Sequence, residues 1–249
     1  MPAVFVHGNP ETPAVWGPLL KKLGRTDVIA LHLPGFGIPT APGFTATKES
    51  YVDWLVAELE TIGKPVDLVG HDWGGGFVLR VACVRPDLIR CWASDVAGLL
   101  HEDYVWHDFA KIWQAEGEGE AFFANQLATP RADRIALYNS MGITGEVAES
   151  FADAGNEEMA RCVLALYRSA SQPAMREWGN DADKAKARPG LVLAAENDPF
   201  VGGPAMAHSM ALRLGAAAVD LPGVGHWWML QNPELGASTL EAFWATVPA

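Results

Sequence analysis

Cysteine is scarce in this chain: Cys83, Cys91 and Cys162 are the only three in 249 residues, odd in number and without C-x-x-C spacing. That pattern excludes a disulfide framework and a zinc knuckle and leaves the three as reduced, apolar filler. Basic side chains are also few, 18 Lys and Arg against 30 Asp and Glu, for a formal net charge of −12. Nucleic acid and anionic membrane both need clustered cations, so neither is an expected partner. No apolar run approaches the ~18 residues of a membrane span. The first ten residues run into Val4-Phe5-Val6 with no basic flank or cleavage site, so a cytoplasmic location is expected. What is abundant is apolar mass: at 49% hydrophobic and 19% charged the composition is that of one globular chain with a large core.

Short β-branched runs bounded by turn residues fall at 4–7, 28–33, 66–70, 92–96, 191–195 and 217–221, and each reads as a buried strand. Amphipathic stretches separate most of them. One carries Val52, Leu55, Val56, Leu59 and Ile62 at helical spacing behind a candidate N-cap at Thr47. Alternating strand and helix predicts a parallel sheet with right-handed crossovers. The alternation stops between about 99 and 186, where helical stretches appear near 103–114, 132–141 and 156–170 and no strand does. The last of these lines Met159, Cys162, Val163, Leu166, Tyr167 and Ala170 along one face. Residues 1–98 with 187–249 are therefore expected to form the core, and 99–186 a helical insertion; the acidic, Gly-rich 116–120 stretch reads as a solvated loop.

Four short motifs carry candidate chemistry. Gly70-His71-Asp72-Trp73-Gly74 follows the third strand and has the glycine spacing of a nucleophile elbow, with Asp at the usual Ser position. A carboxylate there attacks carbon and leaves an alkyl ester that activated water must hydrolyse; Asp72 could alternatively just cap the following helix. His7-Gly8-Asn9-Pro10 ends the first strand in a tight turn able to aim backbone N–H groups at developing negative charge, or to serve as a plain turn. Gly223-Val224-Gly225-His226-Trp227-Trp228 offers a general base after the last strand, although a lone loop histidine is more often a surface residue. Glu196-Asn197-Asp198-Pro199 offers a carboxylate, Asp198, to orient that base, or an Asp-Pro turn.

Taken together, in the order turn, nucleophile, acid and histidine, these motifs resemble the α/β-hydrolase superfamily over nearly the whole chain. Within it they resemble the aspartate-nucleophile branch of epoxide hydrolases, haloalkane dehalogenases and fluoroacetate dehalogenases. The resemblance implies Asp72 as nucleophile, His226 as base, Asp198 as its carboxylate partner in preference to Asp95, and the backbone N–H groups of Asn9 and Trp73 as oxyanion hole. It implies a cap made by the insertion, a small hydrophobic substrate bound beneath it, and neither cofactor nor metal; a homodimer is left open. Members usually carry two antiparallel strands ahead of the H-G-x-P strand, so a six-stranded, wholly parallel sheet is expected here. The usual D-x-x-G-x-G-x-S stretch appears as Leu33-Pro34-Gly35-Phe36-Gly37-Ile38-Pro39, without its polar ends.

The leaving group separates the branch. Fluoroacetate dehalogenases place Arg after the nucleophile, where this chain has Trp73-Gly74-Gly75-Gly76. An epoxide oxygen needs two cap donors. Tyr167-Arg168 resembles the Tyr-Arg pair of epoxide hydrolase caps, though Tyr167 could be plain core, and His107 in Trp106-His107-Asp108-Phe109 is the expected second donor, with Tyr104 and Tyr138 as substitutes. Asn9 and Trp73 are instead the residue types with which haloalkane dehalogenases hold halide. An epoxide hydrolase is the expected function, a haloalkane dehalogenase the alternative, and a catalytically silent binding protein the third. Ten Trp and ten Phe fit an aromatic pocket.

Overall fold

The computed structural model describes residues 1–248. Six strands, β1 (Ala3–Val6), β2 (Val28–Leu31), β3 (Val66–Gly70), β4 (Ile89–Ser94), β5 (Gly190–Ala195) and β6 (Ala217–Leu221), form one sheet in the order β2-β1-β3-β4-β5-β6. Every pairing is parallel, as the sequence predicts. Each expected strand is present. The fourth begins and ends earlier than the expected 92–96, because Ile89 and Cys91 pair with β3 ahead of Trp92.

The central strands are apolar throughout because helices cover both sheet faces. Successive residues alternate between two cores: Val4, Val6, Leu68 and Val192 enter one, and Phe5, Val69, Ala93 and Leu193 the other. The edge strands β2 and β6 are only partly buried, and Ile29 and Val219 reach solvent. Helix Lys48–Ile62 starts at Thr47, whose side chain accepts the Ser50 N–H, and stops at Gly63 in the left-handed region with φ 71°.

Between β4 and β5 the chain is helical, with helices Asp108–Gln114, Glu118–Ala128, Arg131–Ser140, Gly145–Ala154, Glu157–Ser169 and Ala174–Trp178. Two of these differ from the sequence expectation. The 116–120 stretch is no loop beyond Gly117: Glu120 reaches back to the Gly117 N–H at 2.8 Å and opens a helix that buries Gly119 and Phe123. Helix Gly145–Ala154 was not expected, and it packs Phe151 on Tyr138. Both gain their stability from tertiary burial, which local spacing in short segments does not reveal. The three cysteines are free and buried.

The turn that ends β3 positions everything that follows. Asp72 has φ 50° and ψ −128°, a conformation L residues rarely adopt, held between β3 and helix Trp73–Val84. The turn closes only because its neighbours lack side chains. A Cβ on Gly74 would lie 2.2 Å from the Val6 carbonyl oxygen, and one on Gly8 would lie 2.3 Å from Asp72. Gly74→Ala is therefore expected to cost about 1–3 kcal/mol through overpacking against β1 backbone. Urea denaturation of variant and parent would measure it, and an unchanged midpoint would contradict the close approach.

Candidate active site

Asp72 does not act as a helix cap: its side chain makes no capping hydrogen bond. Its Oδ1 instead accepts the Asn9 N–H at 2.7 Å, and the Trp73 backbone N–H also favours its ionised form. The other oxygen, Oδ2, lies 3.8 Å from Nε2 of His226. The carboxylate thus has one oxygen held by backbone donors and one facing the histidine. Burial pushes its pKa up to about 6, against the pull of the His226 and His71 rings.

His226 follows β6, and its Nδ1 bonds Asp198 Oδ2 at 2.8 Å, so Nδ1 carries the proton and Nε2 turns its lone pair toward Asp72. Asp198 follows β5 and is fixed in turn by the Phe200 N–H on its Oδ1 at 2.8 Å. Burial alone would lower the His226 pKa. The adjacent Asp198 charge and hydrogen bond more than offset this and raise it, while the same pairing holds Asp198 below its ordinary value. Asp95, the alternative carboxylate, does not meet His226.

Asp95 belongs to a second buried group that residue reading missed. Its Oδ2 pairs with His71 Nδ1 at 2.5 Å and accepts the Trp228 indole N–H at 2.7 Å, and its Oδ1 accepts the Asp72 backbone N–H at 3.0 Å. On the other side of the same ring, His71 Nε2 lies 3.1 Å from Glu11 Oε1, which also accepts the Trp227 indole N–H at 2.7 Å. Glu11 Oε2 accepts the Gly8 N–H at 3.0 Å. Burial disfavours an imidazolium at His71, but the two flanking carboxylates overcome it and hold its pKa well above the ordinary value, while Glu11 falls to about 2. One oxygen of Glu11 and one nitrogen each of His71 and His226 lie within 4.8 Å of one another. These three do not suit a metal, because His71 is protonated and has both nitrogens engaged. The sequence signal was slight: Glu11 stands four residues after His7, and His71 is the residue before Asp72.

His7 is structural. Its buried Nε2 accepts the Leu33 N–H at 3.1 Å and pins the Leu33-Pro34-Gly35 turn to the end of β1, and burial lowers its pKa to about 4.

A cavity of about 180 Å³ opens above Asp72 and His226. The helical insertion supplies His107, Trp113, Phe123, Tyr138 and Tyr167 to its wall. His107 Nδ1 accepts the Ala110 N–H at 3.2 Å, leaving Nε2 as the protonated nitrogen, and burial lowers its pKa to about 4, so the ring is neutral. Burial, reinforced by the Asp72 charge, raises the Tyr167 phenol well above its ordinary pKa against the nearby Trp73 and Asn9 donors, so it stays an O–H donor. Tyr104 is otherwise engaged, donating to the Phe200 carbonyl at 2.7 Å. Tyr138 lines the cavity but packs on Phe151, 5.6 Å between centroids. The Trp73 ring is buried between Phe77, Trp106 and Tyr167 and is not part of the cavity wall. The Asn9 side chain lines the cavity, and neither its Oδ1 nor its Nδ2 has a partner among the described residues.

Residues 3–238 match the model of a family described as the alpha/beta hydrolase family. The chain belongs to that family. Similar to this chain are a haloalkane dehalogenase of Agrobacterium fabrum, 33% identical over 129 residues, and epoxide hydrolase 4 of Mus musculus, 34% identical over 93. Those segments are 49% and 34% of this chain and 42% and 25% of the relatives, so the chain spans less than half of either relative's length. A crystal structure of a loop variant of a haloalkane dehalogenase from Bradyrhizobium elkanii superposes with a TM-score of 0.74 over 98% of this chain and 89% of that one, at 21% identity, a likeness of fold. No described helix of the hydrolase is long and apolar enough to cross a membrane.

The opposing effects at His226 can be separated. The His226 ring is expected to titrate above an ordinary imidazole, and Asp198→Asn should bring it below one, because burial then acts with little opposition. Histidine NMR across pH 4 to 9 reads both values, and an unshifted ring would dissociate the pair.

Proposed function

We propose that the hydrolase opens epoxides through an ester on Asp72, with residues 99–186 acting as a cap over the site. The observation that carries this reading is the pair of neutral donors, His107 and Tyr167, lining the same cavity as the Asp72 carboxylate and His226. An epoxide oxygen leaves as an alkoxide and needs such donors, whereas a displacement that expels halide does not need a proton. Asp72 Oδ2 attacks a ring carbon, the carbon–oxygen bond breaks, and His107 and Tyr167 stabilise and protonate the oxygen.

The ester is then hydrolysed. Its carbonyl oxygen is Oδ1, already seated on the Asn9 N–H, so the negative charge of the tetrahedral intermediate develops where a backbone donor stands. His226, neutral at Nε2, takes a proton from water as the water attacks Cγ, and Asp198 stabilises the imidazolium that results. As the Cγ–Oδ2 bond breaks, His226 returns its proton to the departing oxygen and the diol is released; the proton left on the new Asp72 carboxyl restores the cap donor that protonated the epoxide oxygen, so carboxylate, base and donor all return to their starting states. Glu11, within 4.8 Å of a His226 nitrogen, stands where one water can bridge both groups and be aimed at the ester. No step calls for a metal or organic cofactor.

Haloalkane dehalogenation is the second reading, and the unpartnered Asn9 amide favours it, because a halide ion would satisfy that buried donor. Trp73, the other donor type such a site would use, stands beside Tyr167, which lines the cavity.

His226→Gln should form the ester without hydrolysing it. Intact-protein mass spectrometry after incubation with epoxides and haloalkanes, with peptide mapping to Asp72, reads the chemistry directly. An epoxide adds its entire mass, since the ring oxygen stays attached, whereas a haloalkane adds only its alkyl group. No adduct from either panel on a folded variant would remove Asp72 as nucleophile.

Tyr167→Phe should slow ester formation from an epoxide by a factor equivalent to about 2–4 kcal/mol, by analogy with an oxyanion-hole donor. Hydrolysis of preformed ester should change little. Rapid-quench measurement of the two half-reactions tests this, and equal loss in both would make Tyr167 a packing residue.

A further inference from the structure

The cavity above Asp72 is not closed at its far end. Three of the large apolar side chains that the protein leaves in water, Phe109, Leu137 and Met141, are 48%, 56% and 40% exposed, and all three line this one cavity. Apolar residues scattered singly over a surface are ordinary, but a cluster on the rim of a pocket marks a surface that something else covers. Leu137 and Met141, four residues apart around the end of helix Arg131–Ser140, and Phe109, on helix Asp108–Gln114, contribute from two separate elements.

An unbroken aromatic path joins this rim to the reacting group. The Phe109 ring lies 6.0 Å from Trp113 between centroids, and Trp113 lies 4.7 Å from Tyr167, whose phenol is within the electrostatic reach of Asp72. The wall between is almost wholly apolar. No Lys or Arg lines the cavity, and the charged side chains that do, Glu11 and Asp72, are both acids. A carboxylate or phosphate on the substrate would find no counter-charge and would meet negative potential.

We infer that the substrate is a neutral molecule with an extended apolar chain, the reacting carbon at Asp72 and the chain passing Trp113 to lie over Phe109, Leu137 and Met141. The inference rests on Asp72 being the reacting group, as proposed above, and names the substrate class of that site. The rim residues then determine chain-length specificity: each methylene that covers them should tighten binding by about two- to fourfold.

Binding and chemistry are tested separately. Calorimetry of the intact protein with 1,2-alkanediols of four, six, eight and ten carbons should show Kd falling two- to fourfold per methylene through the series. A ten-carbon diol ending in a carboxylate should bind at least tenfold more weakly than the neutral one. The double variant Leu137→Glu, Met141→Glu, at exposed positions where circular dichroism can verify folding, should flatten the dependence on length. Kd independent of length, a carboxylated chain bound as tightly as the neutral one, or a rim variant with undiminished length dependence would each overturn the inference. Turnover of the matching 1,2-epoxides keeps the two proposals distinguishable. Length-dependent diol binding with no epoxide turned over would sink the epoxide reading alone, while epoxide turnover with kcat/KM indifferent to length would sink the extended chain alone.

Discussion

His71 is fully buried, with a carboxylate facing each ring nitrogen. Charged groups are tolerated there only because each satisfies the other, and the acids are satisfied further by Gly8, Asp72 and two indole N–H groups. That requirement ties four separate segments to one point: the turn after β1 through Glu11, the end of β3 through His71, the end of β4 through Asp95, and the loop after β6 through Trp227 and Trp228. Removing His71 would leave two buried carboxylates without their shared cation, and removing either acid would leave His71 with one partner instead of two. The strained backbone of Asp72 persists because this surrounding lattice determines it, and its N–H is one of the bonds in the lattice.

The parallel sheet makes such convergence available. Every strand points the same way, so the segments that follow β1, β3, β4, β5 and β6 all emerge at one edge, and residues 9, 72, 95, 198 and 226 become neighbours although up to 217 positions separate them (226 − 9). The division of labour is then spatial. In the reaction proposed above, the sheet supplies Asp72, His226 and Asp198, and the helical insertion supplies His107 and Tyr167 to the same cavity. The two readings proposed above place the same roles on Asp72 and His226 and differ in what they ask of His107, Tyr167 and Asn9.

Two electrostatic settings at the site have burial as their largest cause. Desolvation makes His107 a neutral donor and keeps Tyr167 protonated beside a carboxylate. The same desolvation would strip His226 of its basicity if Asp198 were not bonded to it. A dry pocket therefore gives the donors their protonation states and obliges the base to have a partner.

Much was legible in the chain itself. Short β-branched runs between turn residues gave the six strands, and period-3.6 patterns the long helices, since a sheet covered on both faces buries every residue of a strand while a helix buries one face. The glycines around Asp72 announced a sharp turn because no other residue fits within 2.3 Å of backbone or of that carboxylate. The order of Asn9, Asp72, Asp198 and His226, each at a strand end, makes the candidate site visible in the chain itself. Helices Glu118–Ala128 and Gly145–Ala154 were not legible, for tertiary burial rather than local pattern stabilises them. Nor were the partners of His71, because an acid's partner is fixed by which loops the sheet brings together; Asp198 was expected beside His226, but nothing in the chain placed Asp95 beside His71. Local sequence determines what each segment can be, because propensity and periodicity act over a few residues. Only the tertiary structure decides which charges share a buried space, because pairing distance and desolvation exist only once the chain has folded.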